Sequence, residues 1–259
     1  MTGNWDTYDA VAPTYDDVRP GYPNAVYEAI AKYGSLPTEP RVLEVGVGTG
    51  QATLGMVQAG WRVFGVEPGG ELATIARKRL ANYPDSSVST SSFEDIEVRA
   101  NFFDVVASAT AWHWIDPSVG YDKAARALKP TGIVALWWNA HVPDSFDPRW
   151  VPIRRVYEQV APELAVLARL TPDRPDYDPR AELRTCGRFR DIDQKVFGFE
   201  VNYTAERFLL LLDTYASHRR LDDKRRHRLY DRLTSVIANE LNGSVTKPYE
   251  AVLLLARIT

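Results

Sequence analysis

The chain has 259 residues, 45% hydrophobic, 25% charged and 11% aromatic, a balance that supports a full hydrophobic core and excludes a fibrous or disordered chain. A formal net charge of -3 runs against a dedicated nucleic-acid binder, which needs a clearly basic surface to neutralise phosphates. A single cysteine, Cys186, excludes an internal disulfide and a cysteine-based metal cluster.

The start, MTGNWDTYDA, has neither the basic opening nor the apolar centre of a signal peptide, and no apolar run approaches membrane-spanning length. A cytoplasmic chain without a membrane partner is the expectation. Val26, Ile30 and neighbouring alanines then predict a helix from about Tyr22 to Lys32, closed by Gly34 and Pro37. Arg41 to Val45, short and apolar between Pro40 and Gly46, reads as a buried parallel strand. A glycine-rich turn follows, then a helix through Met56 to Ala59. WRVFGVE reads as a second strand, Gly69 to Asn82 as a helix and SSVSTSS as a weaker third strand. FFDVVASAT, a helix from Pro117 to Leu128 and the strand TGIVALWWN continue the alternation, which implies right-handed crossovers and a sheet covered on both faces by helices.

From His141 to Gly187 prolines interrupt two short helical stretches, so residues 141–187 read as a helical cap inserted after the fifth strand. An alternating strand around Asp193 to Asn202, a helix from Ala205 to Tyr215, a charged helix from Asp222 to Leu241 and the apolar strand PYEAVLLLARI complete the chain. No boundary divides it, so residues 1–259 are expected to form one domain.

The turn Glu44-Val45-Gly46-Val47-Gly48-Thr49-Gly50 lies between a strand and a helix, where glycines permit tight backbone turning and close approach of a ligand. A dinucleotide turn places its third glycine six positions along, yet that position counted from Gly46 is Gln51. Glu44 would also repel a pyrophosphate. A ligand with a positive centre and no phosphates suits this turn better. Glu67, at the end of the second strand, can accept hydrogen bonds from a ribose diol; alone, it reads equally as a solvated strand-end acid.

Glu44 to Gly50, Glu67 and FDVVASATAWHWID together resemble the class I S-adenosylmethionine-dependent methyltransferases, particularly the small-molecule, type 11-like branch. YDAVAPTYDDVRPGYP is similar to the N-terminal lid of this family and of its trans-aconitate methyltransferase-like members, which makes residues 1–37 a lid and helix. The resemblance covers about Tyr8 to Trp138 and, more loosely, the last two strands. It implies a Rossmann-like three-layer α/β/α sandwich, with a mostly parallel seven-stranded sheet and an antiparallel C-terminal strand. It also implies S-adenosyl-L-methionine as cofactor and a small-molecule acceptor with an oxygen, nitrogen or carbon nucleophile.

Carried onto this chain, the resemblance places Glu44, Gly46, Gly48 and Gly50 around the methionine part, Glu67 on the ribose hydroxyls and Pro68 against adenine. Ser92 stands where the family commonly has an aspartate for the adenine amino group, so either the Ser92 hydroxyl or the Phe93 backbone carries that contact. Glu94 and Asp95 are expected to open a helix, where carboxylates favour the positive dipole end. Ala109 and Thr110 would line the cofactor pocket, and Tyr15 and Arg19 would approach the cofactor from the lid, Arg19 towards its carboxylate.

Methyl transfer is an in-line displacement at a sulfonium, so positioning and an electron-rich surround dominate. Tyr8, Trp112, Trp114, Trp138 and His218 are the candidates for the acceptor pocket, against the alternative that the tryptophans serve packing. His113 and His141 are the candidate general bases, although an acceptor that is already a carboxylate or amine needs none. The run Lys224 to Arg228 reads as a solvated helical face. The histidines are too scattered for a metal site. A nicotinamide oxidoreductase and a non-catalytic protein of the same fold are the competing readings; the oligomeric state is not encoded in any motif.

Overall fold

The computed structural model describes residues 16–141, 147–167 and 177–259. Helices and strands alternate in chain order: α1 (Asn24–Gly34), β1 (Arg41–Val45), α2 (Gln51–Gln58), β2 (Arg62–Glu67), α3 (Gly70–Arg79), β3 (Ser87–Thr90), β4 (Phe103–Ala109), α4 (Pro117–Ala127) and β5 (Leu128–His141). Then come α5 (Val151–Val160), α6 (Pro162–Leu167), α7 (Pro179–Thr185), β6 (Phe189–Thr204), α8 (Ala205–Asp213), α9 (Ala216–Arg219), α10 (Asp223–Glu240) and β7 (Ser244–Ile258). Among the described residues no helix is long and apolar enough to cross a membrane.

The seven strands form one sheet in the order β3-β2-β1-β4-β5-β7-β6, parallel from β3 to β5. β7 runs antiparallel to both β5 and β6. This is the expected Rossmann-like sandwich, with a mostly parallel sheet and antiparallel pairing at its C-terminal edge. β1 is buried on both faces, as its apolar composition requires. Val42 on one face packs with Val26 and Ile30 of α1, Met56 of α2 and Ala73 of α3. Leu43 and Val45 on the other face pack with Tyr121 and Ala124 of α4 and Leu183 of α7.

β5 begins at Leu128, three residues before the expected strand, because Leu128 pairs with Phe103 before the register shifts and Ile133 pairs with Val105. The shift leaves Asp104 to hold Lys129 at 2.6 Å and the Arg41 backbone N–H at 2.9 Å. At the other end, β5 pairs with β7 up to His141 opposite Tyr249, while β6 and β7 continue together to Thr204 opposite Ser244. The β6–β7 ribbon therefore overhangs the parallel strands on the side of their carboxyl ends.

A second core gathers on this overhang. Ile153, Val156 and Val160 of α5 pack with Phe208 and Leu211 of α8, Leu229, Leu233 and Ile237 of α10, and Tyr203 and Tyr249 of the ribbon. The proline-rich segment after β5 thus shares its core with helices that follow β6. α10 starts where Asp222 accepts a hydrogen bond from the Arg225 N–H at 2.9 Å, an N-cap that ends the preceding loop.

Candidate functional site

The turn after β1 is built by three glycines in the left-handed region, with φ of 74° at Gly46, 58° at Gly48 and 84° at Gly50. They face different surroundings. A Cβ on Gly46 would lie 2.2 Å from the Ala111 Cβ, so the loop after β4 rests directly against the turn. Among the described residues a Cβ on Gly48 would meet nothing within 4 Å, so they leave space beside this backbone.

Glu67 ties the turn to β2. Its carboxylate accepts the Gly48 N–H at 2.8 Å and the Gly69 N–H at 2.9 Å, and the side chain is 5% exposed. It is therefore a buried organiser of two loops, with carboxylate oxygens that retain acceptor capacity for hydroxyl donors. Pro68, between the two anchored backbones, is half-buried.

Glu44 lies deeper. The side chain is fully buried, and its Oε2 accepts the Thr53 hydroxyl at 2.5 Å from the first turn of α2. Its Oε1 has no hydrogen-bond partner among the described residues, and neither has Oγ1 of Thr49, also buried. Burial first, and the Glu67 charge second, push the Glu44 carboxyl up to about 8, against the lowering effect of Thr53. Buried acceptors without donors are costly, and Thr49 directly follows Gly48 in the turn. A ligand bringing an ammonium group and hydroxyl donors would satisfy Glu44 and Glu67 together. The residues therefore fit the cofactor that the sequence resemblance implies.

The N-terminal segment closes over this region. Tyr22 shares a hydrogen bond of 2.9 Å with Thr110, whose N–H donates to the Trp137 carbonyl at 2.7 Å. Thr110 holds a φ of 57°, a strained setting for a β-branched residue and one that aims the loop after β4 towards the glycine turn. Gln51 donates to the Arg19 carbonyl at 2.9 Å, and Asn139 donates to the Gly21 carbonyl at 3.2 Å. The Asn139 Oδ1 and the Trp137 indole N–H are buried without a hydrogen-bond partner among the described residues. Tyr22, Thr53, Trp137 and Asn139 are parts of the site that the sequence reading missed. Tyr22 lay within VRPGYP, but its partner Thr110 is far along the chain.

The other expected residues lie in several places. Ala109 and Thr110 sit beside the turn, as expected from the end of β4. Arg19 donates to the Thr214 hydroxyl at 2.9 Å and its carbonyl at 3.2 Å, and stacks 4.4 Å over the Tyr215 ring, which ties the N-terminal segment to the α8–α9 junction. His113 and Trp114 are half-buried with rings 4.7 Å apart, and the His113 ring is 5.8 Å from Tyr177. Trp138 is half-buried against the core beneath α4 and α7. Tyr8 and Tyr15 lie outside the described residues, as does the side chain of His141; the His141 backbone ends β5 opposite Tyr249.

Three expectations are corrected. Glu94 and Asp95 form a turn and open no helix. The Ser92 hydroxyl donates to Asp95 at 2.6 Å, Glu94 accepts the Asp116 N–H at 3.1 Å, and Phe93 is buried beside Trp112. Trp112 is 4% exposed and packs between Phe93 and Tyr121, because the short helical turn Trp112–Trp114 rolls it under α4. His218 is buried in the second core, its Nε2 2.8 Å from the Tyr157 hydroxyl and its Nδ1 3.3 Å from Ser217. Burial lowers its pKa to about 4, so it stays neutral and serves packing.

Residues 43–136 match the family described as a methyltransferase domain. An uncharacterized methyltransferase of Mycobacterium tuberculosis is 33% identical over 134 residues, which cover 51% of this chain and 52% of the relative. The chain thus spans about half the length of the first curated relatives it matches. An uncharacterized methyltransferase of Schizosaccharomyces pombe is 24% identical over 232 residues, covering 89% of this chain and 87% of the relative. Among solved structures, a putative type II methyltransferase from Anaeromyxobacter dehalogenans superposes with a TM-score of 0.63 at 21% identity, covering 93% of this chain and 96% of that one. Phosphoethanolamine N-methyltransferase 2 of Haemonchus contortus, bound to phosphomonomethylethanolamine and S-adenosylhomocysteine, superposes with a TM-score of 0.55 at 18% identity, covering 96% of this chain and 57% of that one.

Proposed function

We propose that this chain is a class I S-adenosylmethionine-dependent methyltransferase that moves the cofactor's methyl group onto a small-molecule acceptor, a reading supported by the methyltransferase-domain match and by the methyltransferases it resembles. The observation that carries the reading is a glycine turn anchored by the buried Glu67 carboxylate, with a second buried carboxyl group, Glu44, whose Oε1 has no partner among the described residues. When bound, the cofactor supplies a sulfonium methyl that an in-line nucleophile can take. Gly46, Gly48 and Gly50 let the backbone approach it, Glu67 accepts from its ribose hydroxyls, and Glu44 meets its amino group. Tyr22 and Thr110 close the N-terminal segment over the junction and keep water out.

His113 is the candidate base whose side chain is described. Replacing it with asparagine is expected to lower turnover about 100-fold and leave cofactor affinity unchanged. The function itself is tested by thermal unfolding with S-adenosylhomocysteine. At 100 times its Kd, the ligand is expected to add about 2.7 kcal/mol of stability, and Gly48→Asp removes the effect. Unchanged melting at saturating ligand sinks the reading. Transfer of a radiolabelled methyl group into a metabolite extract then tests for a small-molecule acceptor.

A further inference from the structure

Glu44 is buried in surroundings that disfavour its charge. Thr53 faces it from α2, Glu67 acts on it from β2, and Glu44 in turn raises the pKa of Tyr27 on α1; each of these groups is neutral or negative. One oxygen has the Thr53 hydroxyl, and the other has no partner among the described residues. An ionised carboxylate with a single donor, next to a second carboxylate, is far costlier here than a neutral acid. In agreement with this geometry, the carboxyl is pushed up to about 8 from 4.5, first by burial. A cation arriving beside the unpartnered oxygen reverses the balance, because an opposite charge at contact favours ionisation.

We propose that Glu44 carries a proton in the ligand-free protein and loses it to solvent when the ammonium end of the cofactor binds, so that the cradle closes on an ammonium–carboxylate pair. The inference rests on the methyltransferase reading of the site. The O–H bond on Oε1 breaks, its electron pair stays on the oxygen and accepts an ammonium N–H, and the Thr53 hydroxyl continues to donate to Oε2. The incoming positive charge and the new negative charge cancel within the buried pocket. Affinity is thereby coupled to pH.

The test is calorimetric titration of the full chain with S-adenosylhomocysteine at pH 7, in two buffers of different ionisation enthalpy. About 0.9 proton is expected to leave per ligand bound, and affinity is expected to rise up to about tenfold per pH unit below pH 8 and to level off above it. Glu44→Gln is expected to bring the release near zero and to flatten the affinity between pH 6 and 8. Thr53→Val removes a donor that favours the ionised form, so its levelling point moves to higher pH; this variant serves if Glu44→Gln does not fold. Ligand binding without proton release and with flat affinity overturns the proposal alone. Absence of binding at every pH overturns it together with the methyltransferase reading.

Discussion

At the residue scale, the three glycines of the turn share a backbone conformation but differ in what surrounds them. Gly48→Ala is expected to cost about 1 kcal/mol of stability, the price of a side chain in the left-handed region. Gly46→Ala adds a collision with Ala111 and is expected to cost about 3 kcal/mol by denaturant titration, so the two variants separate backbone strain from crowding. A second prediction follows from His218. Its folded pKa of about 4 lies below the ordinary 6.5, so its contribution to stability is complete above pH 6.5 and is lost as pH falls towards 4. The loss is about 3 kcal/mol, and urea unfolding across that window should show it in the native chain and not in His218→Gln. Glu44 works in the opposite sense. Its raised pKa makes its contribution complete below 4.5 and progressively lost as pH rises through 8 in the absence of ligand.

At the element scale, what was legible in the sequence was local. Pro40 and Gly46 bracket an apolar run, and β1 spans Arg41–Val45, the bounds that this bracketing predicts. The start of β5 was not legible, since Leu128 joins the strand through its pairing with Phe103 rather than through its own pattern. The turn at Glu94 and Asp95 illustrates the same limit. Carboxylates mark helix openings on average, but here the Glu94 carboxylate holds the N–H of Asp116, 22 residues on, and the Glu94 carbonyl accepts the Lys123 ammonium at 2.8 Å. Among the helices of the second core, α10 depends on its buried stripe and on one capping residue. Leu233→Ala, at a fully buried position, is expected to destabilise by about 2–5 kcal/mol, and Asp222→Ala by about 1 kcal/mol, both read as shifts in the denaturation midpoint.

At the scale of the whole molecule, the candidate site divides along the same line. Glu44, the glycines and Glu67 could be found from sequence because they occupy one strand–turn–helix unit and the next strand end. The contacts of Tyr22 with Thr110 and of Arg19 with Thr214 could not, since they join positions 88 and 195 residues apart. These contacts also predict a mechanical link. The Arg19 hydrogen bonds fasten the N-terminal segment to the α8–α9 junction, so Arg19→Ala is expected to raise amide hydrogen exchange in residues 16–23 and around Thr214 together, with exchange in β1 unchanged.

The overhang of the β6–β7 ribbon beyond β5 gives the chain two cores that meet at one rim and share few residues. Leu229, Leu233 and Ile153 belong to the second core and not to the cluster around the glycine turn, so substitutions there are expected to leave the turn's backbone in place. Under the function proposed above, the second core then offers a place where sequence can vary and reshape the acceptor's side without recasting the glycine turn.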